Sequence, residues 1–245
     1  MRLKLANEPL FVVASLLFGL KTYIVYRFMF SIHLENMLQE FILLLNPFVS
    51  AFLFFALSVW FQDQAKQMRF IRYSILIGTL VVYFNVVFYR SFTDFITLPQ
   101  LFQVSNLSDL GSSIFTLIKV YDVLLFVDVV IIWLLSKHQA QKGTQYTKRG
   151  KVFVLAFSLM LLAGNFFLAE IERPQLFSRG FDREYLVKNI GLFYYHIYDV
   201  ALQSKVKTQR VFADGNELTD IKHYVKQEIQ QPNKSDLFGI AEGRN

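Results

Sequence analysis

The chain of 245 residues contains no cysteine. That excludes disulfides, thiolate metal sites and a cysteine nucleophile. There is no glycine-rich phosphate loop, no G-x-S-x-G elbow and no H-E-x-x-H pair. The four histidines, His33, His138, His196 and His223, stand far apart in the sequence, without metal-ligand spacing. No catalytic or metal-binding constellation is visible, and no cofactor is expected within the chain. The net charge of +6 would suit nucleic acid if the bases shared one soluble face. They sit instead at the ends of apolar blocks, so no nucleic-acid partner is expected.

What the chain does have is apolar bulk: 54% of its residues, including 27 Phe and 12 Tyr. These fall into blocks about as long as the hydrocarbon core of a bilayer, near 20 residues each. The blocks run over residues 10–29, 38–61, 73–89, 114–135 and 152–169. An open sheet edge could not survive in lipid, so each block is expected to be a helix. The fold class expected is an all-α polytopic membrane protein with about five transmembrane helices. Pro47, inside the second block, removes a backbone donor and is expected to kink that helix. Tyr23, Tyr26, Trp60, Tyr83, Tyr89 and Trp133 near block ends fit an interfacial aromatic belt.

Loop charge sets the expected orientation. Arg2 and Lys4 precede the first block. Lys66, Arg69 and Arg72 lie between the second and third. Lys137, Lys142, Lys148, Arg149 and Lys151 lie between the fourth and fifth, with no acid among them. The alternate loops are poor in bases. The positive-inside rule puts the N-terminus in the cytoplasm and everything after Ala169 outside the cell membrane.

From residue 170 to 245 acids and bases balance, and the expected form is a set of extracellular interfacial and linker helices. Asp182 is positioned to cap a helix over 183–190, which Gly191 would stop. The aromatic run 192–205 and its predecessor are expected along the membrane surface. Asn216 is positioned to cap 217–231, with Leu218, Ile221, Val225 and Ile229 at helical spacing.

Charges within spans are costly in hydrocarbon and are therefore candidate sites. Lys21, Arg27, Arg90 and Lys119 lie in the expected outer half and are candidate contacts for lipid phosphate. Lys119 and Asp122, three residues apart, share a helix face. Asp122, Asp128 and Asn85 are candidates for intramembrane polar pairing, Asp128 with Lys21. Asn85 and Asn165 read as interhelical hydrogen-bonding residues.

The segment Ala169-Glu170-Ile171-Glu172-Arg173-Pro174-Gln175-Leu176, then Phe181-Asp182-Arg183-Glu184-Tyr185-Leu186-Val187-Lys188, Gly191 and Ile197-Tyr198-Asp199, closely resembles the stretch after the last membrane helix of bacterial lipoteichoic acid synthases. Leu20-Lys21-Thr22-Tyr23, Leu44-Leu45-Asn46-Pro47, Asn85-Val86-Val87, Tyr89-Arg90, Asp94-Phe95 and Tyr121-Asp122 are similar to earlier parts of that family. The resemblance implies a phosphoglycerol transferase that moves glycerol phosphate from phosphatidylglycerol to a polyglycerolphosphate chain on a glycolipid anchor. It implies a sulfatase-like catalytic domain with a Thr nucleophile and manganese, beginning beyond Asn245 and absent from this sequence. The chain is then expected to be the membrane-anchoring module, working with a catalytic domain supplied in cis or in trans. It would be a truncated family member, a separately encoded membrane half or an excised piece. The alternative is a non-catalytic membrane partner or regulator of an intact synthase. The resemblance also marks Val211-Phe212-Ala213, followed by Asp214, as a signal-peptidase site.

Overall fold

The computed structural model describes residues 9–97, 99–100, 117–139, 146–177, 182–206 and 208–209. The described residues contain helices and no strand. They form two compact units, Met1–Asp199 and Val200–Asn245. In the second, residues 200–206 and 208–209 are helical. The expected helix over 217–231 and the Ala213-Asp214 site lie outside the described residues.

Among the described residues, four helices of the first unit are long and apolar enough to cross a membrane. They are α1 (Leu10–Phe28), α2 (Met37–Ala56, continued by a 3-10 turn Leu57–Trp60), α3 (Gln64–Phe92) and α5 (Lys148–Glu172). The expected fourth span is described from residue 117 onward. It opens as a 3-10 helix, Val120–Phe126, and continues as α4, Val127–Gln139. Two short helices come after α5: α6 (Arg183–Ile190) and α7, over 192–199.

Helix ends follow local chemistry. The Asn36 side chain accepts from Gln39 N at 2.9 Å and Gln39 Oε1 accepts from Glu35 N at 2.8 Å, a reciprocal cap on α2. Asp63 and Thr147 cap α3 and α5 with their side chains. Asp182 occupies the cap position of α6 without a side-chain bond. α3 and α5 outrun the apolar blocks at both ends. Lys66, Arg69 and Arg72 continue α3 as helix, because the backbone bonds do not stop where the hydropathy does. α2 runs helical through Pro47.

The core is aromatic and aliphatic: Phe18, Tyr26, Phe30, Phe55, Phe95, Ile71, Ile75 and Tyr195 are all buried. The opposite sides of the helices carry large exposed apolar residues, among them Phe153, Met160 and Phe167 on α5. A bilayer would cover these.

α1 and α2 approach closely at Gly19. A Cβ there would sit 2.6 Å from the Phe48 ring and 3.1 Å from Phe48 Cα. Backbone on the far side cannot yield as a flexible side chain would. Gly19→Ala is therefore expected to cost about 1–3 kcal/mol by overpacking. A drop in melting temperature of the detergent-solubilised protein measures this, and an unchanged melt would show that α1 and α2 can part without cost.

Candidate functional site

Among the described residues, two ion pairs lie within the bundle. Lys21 Nζ is 2.8 Å from Asp128 Oδ2 and donates to Asp128 Oδ1, Leu125 O and Thr79 Oγ1. The 3-10 geometry before α4 exposes the Leu125 carbonyl to it. Arg90 holds Asp122 with both guanidinium nitrogens, at 2.6 and 2.8 Å, and also donates to Leu117 O. Sequence spacing allows Lys119 and Asp122, on one helix face, to pair through their side chains. Lys119 instead donates its backbone N–H to Asp122 at 2.9 Å, and its ammonium lies over the Tyr121 ring. The planar guanidinium matches both carboxylate oxygens, which an ammonium cannot.

Of the four candidate phosphate-binding cations, Lys21 and Arg90 are thus largely buried and paired. Arg27 is part-exposed, 3.9 Å from Glu40. It lines an open depression of about 600 Å³ at the junction of α1 and α2, with Ser31, His33, Glu35, Asn36 and Glu40. Phe28 and Met37 flank it and are among the most exposed apolar side chains of the protein.

α1, α3 and α5 finish, and α2 begins, at one end of the bundle. There α6 and α7 enter as a wedge, where an interfacial position along the membrane surface was expected. Asn46, halfway along α2, donates Nδ2 to Lys188 O at 2.8 Å. The Tyr26 hydroxyl accepts Leu192 N at 2.7 Å. Phe193 meets Phe18, midway along α1, and Tyr194 meets Phe166 of α5. Asn85 of α3 donates Nδ2 to Val81 O, accepts Ile96 N and shares its amide with His196 Nε2 at 3.1 Å. Arg183 pairs with Asp94. The turn between the two short helices is Gly191, at φ +83°, against the Asn46 side chain. Polar partners for the peptide groups at that turn permit burial where a surface position would otherwise be required.

Lys188 is almost fully buried. Its ammonium donates to Gln39 Oε1 at 3.2 Å and His33 O at 3.4 Å and lies over the Tyr185 ring. Burial lowers its pKa, against the opposing pull of Glu172, Glu35 and Glu184. Gln39 Nε2 in turn donates to Glu172 at 2.6 Å, tying α2 to α5. Sequence reasoning singled out neither Gln39, Asn46 nor Lys188 as a site. The signal was present in Asn46 and Gln39 as polar residues on the apolar α2. His138 (its side chain) and His223 fall outside the described residues. Among the described residues no three His, Asp or Glu gather to hold a metal, so manganese finds no fitting donor set in them.

The arrangement defines a class: a polytopic helical membrane domain with internally neutralised charges and a C-terminal segment keyed into one end. The match with known proteins gives the family. Residues 1–212 match the lipoteichoic acid synthase N-terminal domain, and the chain belongs to that family. It is 38% identical to the lipoteichoic acid synthase-like YvgJ of Bacillus subtilis over 98% of this chain and 38% of that protein. It is 35% identical to lipoteichoic acid synthase 1 of the same organism, over 96% of this chain and 37% of that protein. Identity to the lipoteichoic acid synthase of Staphylococcus aureus (strain USA300) is 31%, over 99% and 38%. The chain thus spans somewhat over a third of the length of these relatives. No solved structure matches it.

Removing Arg90 would leave Asp122 buried and unpaired. Arg90→Ala is expected to cost about 3–5 kcal/mol, while Arg90→Met with Asp122→Leu should recover most of it. Melting of the three proteins in one detergent is the check, and equal losses in single and double variants would refute the pairing.

His196 gives a pH dependence. Burial lowers its pKa to about 4, with Asp199 pulling the other way. The unfolded chain takes up this proton near pH 6.5 and the folded chain only near 4. The group's effect is therefore absent above pH 6.5, and stability falls as pH drops from 6.5 towards 4. His196→Gln should flatten that part of the stability–pH curve; an identical slope in the variant would place the proton elsewhere.

Proposed function

We propose that the chain is the membrane-anchoring module of a lipoteichoic acid synthase-like enzyme. That enzyme transfers glycerol phosphate from phosphatidylglycerol to a growing polyglycerolphosphate chain on a glycolipid. The reading rests on family membership across residues 1–212. The N-terminus lies in the cytoplasm, the bundle crosses the membrane five times, and the wedge end faces outward, in keeping with the basic loops. The wedge, residues 182–199, is itself fixed by bonds to α1, α2 and α3. Fixed placement of reacting groups at the membrane surface is a large share of what such a module can contribute.

The lipid contact falls to Arg27 and Lys119, because Lys21 and Arg90 already neutralise Asp128 and Asp122. The observation that carries it is the depression beside Arg27, polar within and flanked by Phe28 and Met37. Apolar prongs there would enter acyl chains while the guanidinium meets a phosphate.

With the catalytic domain supplied, Arg27→Ala and Lys119→Ala are expected to lower polymer yield at unchanged amounts of membrane-inserted protein. The purified variants should also retain less phosphatidylglycerol than the parent on exchange into detergent. Unchanged yield and retention in both would remove the lipid contact. Because the chain has no native cysteine, single cysteines at positions 143 and 245 report orientation: an impermeant thiol reagent on intact cells should reach only the second.

A further inference from the structure

The wedge is seated among buried polar groups that it leaves unsatisfied. Asn46 Oδ1, both amide atoms of Asn165, Asn189 Oδ1 and the Tyr195 hydroxyl are buried without a hydrogen-bond partner. Asn46, Asn165 and Asn189 are each 0% exposed. Asn189 and Tyr195 belong to the wedge itself. Asn46 is its seat on α2.

Asn165 lies on α5, which runs antiparallel to α2. The register of this helix pair is fixed by the bond from Gln39 to Glu172 and by the edge contact of Phe52 with Phe157 at 5.8 Å. Advancing along α2 from Gln39 to Asn46 covers the same number of residues as retreating along α5 from Glu172 to Asn165. Equal helical rise keeps the two asparagines level, about 10 Å below the Gln39–Glu172 bond. The buried polar positions of α5, Ser158 and Asn165, are two turns apart and so share a face; that face packs against α2.

We propose that Asn46 has two alternative partners, and that the wedge therefore has two discrete states. Seated, Asn46 gives its amide N–H to Lys188 O and leaves Asn165 unpaired. Withdrawn, Asn46 and Asn165 pair amide to amide across α2 and α5, and Asn189 and Tyr195 return to water. The other two seat amides, Gln39 and Asn85, hold bonds that do not depend on the wedge. Gln39 keeps Glu172 and the Glu35 backbone. Asn85 keeps Val81 O and Ile96 N. The Tyr26 hydroxyl, two residues from the end of α1, would reach interfacial water. Asn46 alone among the three seat amides has no second side-chain bond, and Asn165 supplies it. Two arrangements that each satisfy what the other leaves open make a bistable element. The proposal is independent of the lipid contact at Arg27.

The test uses the full chain with Leu192→Cys, a buried wedge position, in lipid nanodiscs with a soluble maleimide. The labelling rate reports withdrawal. Asn165→Leu removes the unpaired amide from the seated state and the pair from the withdrawn one. It should slow labelling about tenfold, equivalent to about 1.4 kcal/mol. Asn165→Gln, which keeps an amide, should stay near the parent rate. In an Asn46→Leu background the amide pair is already lost, so Asn165→Leu should have a clearly smaller effect. Equal or faster labelling in Asn165→Leu overturns the proposal, and so does a full tenfold slowing that persists in the Asn46→Leu background. Should Asn165→Leu fail to fold, Asn165→Ala is read by the same cycle.

Discussion

A peptide group carried among apolar helices must find its partner inside the protein, and at the wedge end that need falls on Asn46. Its amide meets the Lys188 carbonyl where α6 stops and the chain reverses at Gly191. A helix terminus leaves carbonyls without intrahelical donors, and in water they would be hydrated. Here a side chain from the middle of α2 takes that role. Tyr26 does the same for Leu192 N at the start of the next helix. With both ends of the turn satisfied, Phe193, Tyr194 and Tyr195 can pack among the bundle helices. The aromatic content of α7 is then a packing surface as much as an interfacial one.

The same requirement governs the charges. Lys21, Arg90, Asp122 and Asp128 stand in apolar stretches, and each cation is matched to one carboxylate with extra backbone acceptors or donors around it. Such pairs gain little over an apolar replacement, but they forbid misregistered packing, because any slip leaves a bare charge. Lys21 joins α1 to α3 and α4, and Arg90 joins α3 to the 3-10 helix ahead of α4. The fourth segment is held by these two pairs at the points where its irregular backbone exposes carbonyls. Only one side of that 3-10 turn, with Asp122 and Leu125, is packed against protein; its backbone groups there find partners within the bundle, as a membrane setting demands.

Much of this was legible in the sequence. Block length and polarity give helices and their order, and the Lys21–Asp128 juxtaposition follows from two isolated charges of opposite sign. Arg90 as the partner of Asp122 was not legible, because local spacing favours Lys119 and the true partner comes from another helix, 32 residues away in sequence. The wedge was not legible for a related reason. Residues 182–199 are amphipathic enough to lie on an interface, and periodicity cannot distinguish a lipid surface from a protein one. The distinguishing marks are single residues: Gly191 at a left-handed φ, and Asn46 next to Pro47 inside an apolar helix. Each is ordinary alone and becomes informative only when the two meet in space.

That meeting bears on how firmly the segment 182–199 is held. A segment that merely lay on a bilayer would hold its neighbours loosely, since lipid offers no fixed register. One keyed by Asn46, Tyr26 and His196 into three different helices has its position set to within hydrogen-bond tolerance. Yet it is not cemented. The buried amides left unpaired on both sides of the key make the seated state less favourable than its packing alone would suggest. In this chain of the lipoteichoic acid synthase N-terminal family, the paired charges join the bundle helices to one another, and Asn46, Tyr26 and Asn85 join them to the segment 182–199.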